Sequence, residues 1–205
     1  MSGKILLATG NRHKREEFRR LLGADDAFLI DIESLGATPP TPVEDGDSYL
    51  ENATIKARSY FTWSGLPSLA DDSGLEVAAL DGAPGIHSAR YAGIGASDAQ
   101  NLARLLDETK GLDGRAARRA RFVCVLVLWR PNAAPASFRG ELTGYLRSTP
   151  VGGGGFGYDP IFVPDTETRT LAELEPAAKD LISHRGRAAA AFRTWLQGSE
   201  FKQVR

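Results

Sequence analysis

The stretch "RFVCVLVLWR", Arg121–Arg130, constrains the fold most. It is long and continuously apolar, which predicts a strand buried deep enough to be central in a sheet. The proline-containing "RPNAAPA" after it turns the chain into a second long strand, Ser137–Arg147. Earlier, strands and helices alternate. A first strand is expected over Lys4–Thr9 and a helix over Arg12–Leu22, with Asn11 as N-cap and Gly23 as stop. Phe28–Ile32 reads as a second strand, followed by the proline-rich loop "ATPPTPVEDG" and a helix over Ser48–Trp63 that ends near Gly65. "PSLADDSGLEVAAL" reads as a strand, an acidic turn and another short strand. "DGAPGIHSARYAGIG" holds too many glycines for regular structure. Ser97 and Gln100 form a capping box for a helix reaching Lys110. "TPVGGGGFGYDPIF" is a glycine-rich loop entering a short strand at Pro160–Val163, and Ser183 can cap a last helix reaching Leu196, with Gly198 as its stop. Alternation early and a long antiparallel pair in the middle predict an α/β fold with a mixed sheet. Phe18, Leu21 and Leu22 read as core positions of the first helix.

The 205 residues suffice for one large domain or two close lobes, and no repeat or long polar linker divides them, so residues 1–205 read as a single domain. A net charge of -1 removes the positive excess that nucleic-acid binding needs. The single Cys124 lies in the apolar run and can make no internal disulfide or thiolate cluster, which fits a reducing cytoplasm. No stretch approaches the roughly 18 apolar residues of a membrane span. The apolar run at the N-terminus is shorter than the roughly 7–15 residues of a signal peptide.

Five segments could carry chemistry. "TGNRHK", Thr9–Lys14, places a hydroxyl, a glycine, an amide and a lysine where a strand meets a helix. Helix N-termini present unpaired N–H groups and partial positive charge, so Gly10, the backbone and Lys14 make an anion cradle; an Asn-capped surface helix would look the same. "ADDSG" sets Asp71, Asp72 and Ser73 at a strand's end. Repulsion between the carboxylates invites a divalent cation, and magnesium prefers one or two carboxylates with phosphate oxygens and water. One carboxylate could also take a proton from water. A self-bonded turn is the plain alternative. Glu44, Asp45 and Asp47 make a second acidic cluster, and in "SYLENATIKAR" Asn52 and Lys56 stand four apart on one helix face. There Lys56 could reach a phosphate, while Glu51 and Asn52 could equally be helix surface. "GGGGFGYDP", Gly152–Pro160, offers Phe156 and Tyr158 as aromatic faces for a base, or as plugs for the core. "KDLISHRGRAAAAF" brings Lys179, Ser183, His184 and Arg185, the last able to donate to a carbonyl or phosphate.

In order, "TGNRHK", "ENATIKAR", "ADDSGLEVAALDGAPGIHSARYAG", "GGGGFGYDPIF" and "SHRGRA" closely resemble the inosine triphosphatase family, which includes the bacterial dITP/XTP pyrophosphatases. The likeness runs from Lys4 to about Leu196. It implies an elongated, two-lobed α/β protein around a long mixed sheet with a central cleft, a homodimer, magnesium dependence, and cleavage of a nucleoside triphosphate to monophosphate and pyrophosphate. By motif match, Thr9, Gly10, Asn11, Arg12, His13 and Lys14 hold the triphosphate, with Arg12 and His13 offering mainly backbone. The resemblance also implies that Asp72 should be the proton acceptor and a magnesium ligand, Glu44 a second ligand, Ser73 a substrate contact, and Lys56 a neutraliser of phosphate charge. On the same match, Phe156, Gly157, Tyr158, Asp159, Lys179, His184 and Arg185 should surround base and sugar. Members often carry Glu before the lysine; here it is Ala178. The competing readings are a house-cleaning pyrophosphatase for modified pyrimidine nucleotides and a purine-nucleotide-binding regulator that does not cleave. The Asp-Asp pair argues against the second, since a pure binder gains little from carboxylates beside phosphate.

Overall fold

The computed structural model describes residues 4–23 and 28–198. Strand β1, Ile5–Leu7, leads into helix α1, Arg12–Leu22. Asn11 Oδ1 accepts from the Lys14 amide at 3.0 Å, which is why the helix starts there. Strand β2, Leu29–Asp31, is followed by helix α2, Tyr49–Ser64. Ser48 Oγ accepts from the Glu51 amide, and Gly65 closes the helix in the left-handed region at φ 68°. Strand β3, Ser68–Val77, precedes helix α3, Asp98–Glu108, whose N-terminus carries the expected Ser97–Gln100 capping box. A four-residue helix α4, Gly114–Ala117, leads to the long strands β4, Arg119–Trp129, and β5, Ala136–Leu146. Strand β6, Phe162–Pro164, and helices α5, Pro176–Ile182, and α6, His184–Gly198, complete the described chain.

The six strands form one sheet in the order β2-β1-β3-β4-β5-β6. β1 is parallel to β2 and β3, and β5 is antiparallel to β6, so the sheet is mixed. β4 lies between β3 and β5 and is buried from Phe122 through Leu128, as its apolar run requires. No helix among the described residues is long and apolar enough to cross a membrane.

Two compact units are present, and neither is one continuous stretch of chain. The first takes residues up to Asp72, Cys124–Gly140 and residues from Arg185; the second takes Ser73–Val123 and Glu141–His184. The first unit's core joins Ile5, Leu7, Phe18, Leu22, Leu69, Leu126, Phe138 and Phe192. The second unit's core joins Leu75, Leu105, Phe122, Leu142, Tyr158 and Phe162. Arg118, buried in that unit, donates to the carbonyls of Thr109, Leu112 and Arg147 and so closes the C-terminal end of α3.

Two readings of local structure change. The segment "SLADDSGLEV" is one uninterrupted strand, not two strands about an acidic turn. Its carboxylates have lysine partners, so they tolerate burial inside a strand. The glycine-rich segment after it contains short 3₁₀ turns at Ala78–Leu80 and Gly85–Arg90. Its glycines at positive φ, Gly82, Gly85, Gly93 and Gly95, set the bends around those turns.

Candidate active site

The junction of β1 and α1 is built as the motif suggests. Thr9 is buried, and its Oγ1 accepts from the Asn11 amide. Gly10 is exposed, and a Cβ there would meet no atom within 4 Å. Internal packing therefore does not demand glycine at position 10, whereas close approach of a ligand to the backbone would. The Arg12 side chain points to solvent and pairs with Glu16, leaving only its backbone for the junction. Lys14 turns inward: its Nζ donates to Asp71 Oδ2 at 2.8 Å, with side-chain exposures of 15% and 2%.

Asp71 and Asp72 are neighbours on β3, so the pleat sends them to opposite faces. Each meets its own lysine. Lys56 Nζ, on α2, donates to Asp72 Oδ1 at 3.2 Å and to Glu44 Oε2 at 2.9 Å. Two carboxylates from a loop and a strand thus converge on one cationic position. Asp72 Oδ2 is buried without a hydrogen-bond partner. A buried carboxylate oxygen left unpaired is costly, and a metal ion or a water proton would satisfy it.

The environments push the two aspartates apart. Burial favours the protonated form of Asp71, but Lys14, Lys56 and Arg185 outweigh it and draw its pKa down to about 2. Asp72 goes the other way: burial dominates over the attraction of Lys56 and Lys14, and its pKa is raised. Burial also opposes the charge on Lys56, yet Asp71, Asp72 and Glu44 together lift its pKa. Asp71 is therefore a fixed counter-ion for Lys14, and Asp72 is the carboxylate suited to accept a proton.

Charge adds a further requirement. Glu44, Asp71 and Asp72 set three carboxylates against Lys14 and Lys56, an excess of negative charge where the motifs expect a phosphate chain. Among the described residues no group of three or more His, Cys, Asp or Glu side chains is placed to hold a metal ion. Two convergent carboxylates with one orphaned oxygen match the donor set that magnesium takes when a substrate supplies the rest.

Among the remaining motif residues, Phe156, Asp159 and Lys179 form a second group. Asp159 Oδ2 accepts from Lys179 Nζ at 2.6 Å and from the Phe156 amide at 2.9 Å. Both side chains of the ion pair are 4% exposed, and Lys179 Nζ lies 5.3 Å from the Phe156 ring centroid. A Cβ at Gly155 would fall 2.1 Å from Asp159 Oδ2, so only glycine lets the loop close over that carboxylate. Lys179 thus has its carboxylate in Asp159. Tyr158 is buried, its hydroxyl donating to the Ser88 carbonyl, which makes it an anchor of the loop. Gly157 donates to Asp98 Oδ2. His184, also buried, stacks on Phe122 at 4.6 Å. Arg185 belongs with α1: its Nη1 donates to Glu17 Oε2 at 3.0 Å, a buried pair. Ser73 is partly buried and follows Asp72 on β3.

Sequence reading missed two participants. Glu17 sits among the apolar positions of α1, and that placement was its only signal. Asn52, read as possible helix surface, is fully buried, with Oδ1 accepting from the Gly46 amide at 2.9 Å. Its spacing of four from Lys56 was the available hint.

Residues 5–195 match the model of the Ham1 family. The chain belongs to the Ham1 family. A dITP/XTP pyrophosphatase of Halorhodospira halophila is 49% identical over 190 residues, covering 92% of this chain and 94% of its own. A dITP/XTP pyrophosphatase of Deinococcus deserti is 47% identical over 188 residues, covering 92% and 86%. The solved structure of a HAM1 protein from Coxiella burnetii shares the fold at a TM-score of 0.84 and 40% identity, covering 96% of this chain and 99% of that one. The family expected from the five motifs and the α/β fold with a mixed sheet both stand.

Proposed function

We propose that this chain hydrolyses nonstandard purine nucleoside triphosphates (ITP, dITP and XTP) to the monophosphate and pyrophosphate, removing them from the pool used for nucleic-acid synthesis. The names of its Ham1 relatives support this reading, and one observation carries its chemistry: Lys56 joins Glu44 to Asp72 while the second Asp72 oxygen is buried and unpaired. The whole chain acts as one catalytic domain. We further propose that it acts as a homodimer in the cytoplasm.

Asp72 and Glu44 are the residues that would hold Mg²⁺, which supplies positive charge to the phosphate oxygens. A triphosphate carries about four negative charges, and phosphoryl transfer depends on positioning and charge neutralisation more than on covalent chemistry. Thr9, Gly10, Asn11 and the backbone of Arg12 and His13 receive phosphate oxygens at the start of α1, where N–H groups and the helix dipole favour anions. Lys14 and Lys56 offset further charge, and Ser73 contacts the substrate. Asp72 orients water and takes its proton as the oxygen attacks the α-phosphorus; pyrophosphate leaves.

Phe156, Gly157, Tyr158, Asp159, Lys179, His184 and Arg185 are assigned to base and sugar, with Phe156 as the stacking face. Hypoxanthine and xanthine present a 6-oxo acceptor and an N1–H; adenine presents a 6-amino donor and a bare N1. A cationic or backbone donor aimed at O6 meets a donor in adenine, and an unpaired buried polar group discriminates strongly. Guanine shares O6, so its rejection depends on the absence of an acceptor for the 2-amino group. Steady-state pyrophosphate release across ITP, dITP, XTP, ATP, GTP and modified pyrimidine triphosphates, with and without Mg²⁺, tests this. We expect kcat/KM for ITP and XTP to exceed that for ATP by at least about 100-fold, with turnover lost in EDTA. Equal rates on ATP and ITP would refute the base assignment. Preference for a pyrimidine would favour the related house-cleaning activity, and binding without pyrophosphate release would favour a regulator.

A further inference from the structure

We infer that Asn52 is a positioning residue for the metal ligand Glu44, an inference that rests on the assignment of Glu44 above. Asn52 lies one turn before Lys56 on α2 and is fully buried. Its Oδ1 accepts from the Gly46 amide at 2.9 Å, two residues beyond Glu44. Glu51 continues the clamp, since its Oε2 accepts from the Asp47 amide at 2.7 Å. Gly46 is pressed so closely against this helix end that a Cβ would fall 2.6 Å from Glu51 Cβ and 2.9 Å from Asn52 Oδ1. The loop is therefore seated on α2 immediately after Glu44, and Glu44 Oε2 meets Lys56 Nζ from that seat.

The other half of the amide gives the reason to look beyond packing. Asn52 Nδ2 is buried without a hydrogen-bond partner. A buried, unsatisfied donor is costly, so an apolar side chain such as leucine would serve packing alone at lower cost. What leucine cannot do is accept from Gly46. The amide is explained by the loop it holds, and the loop carries one of the two carboxylates that converge on the cation position.

Binding of Mn²⁺ in the presence of α,β-methylene-ITP, followed by the free-ion EPR signal, tests the inference without turnover. Asn52→Leu removes the acceptor, and Gly46→Ala displaces the same loop with Asn52 intact. Both should weaken Mn²⁺ binding by about 10- to 100-fold, the usual cost of losing a residue that orients a ligand. Mn²⁺ affinity, read on protein shown to be folded by circular dichroism, is the readout that a purely structural amide would leave unmoved. A folded Asn52→Leu or Gly46→Ala protein that binds Mn²⁺ as tightly as wild type overturns the positioning role. If Asn52→Leu does not fold, Gly46→Ala decides alone. Glu44→Gln separates the two layers. If it weakens Mn²⁺ binding while the other variants do not, the positioning role fails and the metal assignment stands. If it leaves Mn²⁺ binding untouched, the metal assignment fails and takes the positioning role with it.

Discussion

Replacing Asp72 with Asn lowers kcat on ITP by about 10²- to 10⁴-fold, the usual range for removing a general base. The shape is preserved and Lys56 keeps an acceptor, so the loss is chemical. Asp72 has its pKa raised by burial in the folded chain, so its own contribution to stability is greatest when protonated and is lost as pH rises through the folded pKa. The same carboxylate lifts the Lys56 pKa, so its charge also steadies that buried lysine, and circular dichroism first establishes that the Asn variant is folded. A folded variant that loses turnover fits the assignment. Unchanged turnover would remove Asp72 from the mechanism.

Lys56→Met produces the second large effect. The thioether keeps the buried stem but leaves Glu44 and Asp72 facing each other without their shared cation. A triphosphate would then enter a site with three carboxylates and a single lysine, Lys14. We expect kcat/KM on ITP to fall by about 10²- to 10³-fold, the scale for deleting one electrostatic contact to a transition state. The pH profile supplies a finer check. Lys56 holds the Asp72 pKa down against burial. Its removal lets that pKa climb, so the acid limb of kcat/KM moves to higher pH. A profile that keeps its wild-type acid limb would mean that Asp72 does not set it.

The signals that could be read directly were local ones. Asn11, Ser48 and the Ser97–Gln100 box marked three helix starts because each side chain bonds an amide three residues on. The apolar run of β4 announced its central place. Partners distant in sequence were not visible. Asp71 and Asp72 looked like a turn because Lys14 lies 57 residues from Asp71, and Lys56 lies 16 residues from Asp72. With those lysines supplied, the pair can be part of a continuous strand, and the pleat separates two carboxylates that had seemed to share one cation. Arg185 and Glu17 stand 168 residues apart, so neither motif contained the other's partner. Asn52 was ambiguous because a helix position four from a lysine is equally common on a surface. Its burial follows from Gly46, which lets the loop close on α2.

The most direct measurement is ³¹P NMR of ITP turnover by the Mg²⁺-loaded protein in ¹⁸O-labelled water. Water activated at Asp72 and delivered to the α-phosphorus yields IMP and pyrophosphate, with one ¹⁸O in the IMP phosphate and none in pyrophosphate. Appearance of IDP and inorganic phosphate, or of the label in pyrophosphate, would contradict the account.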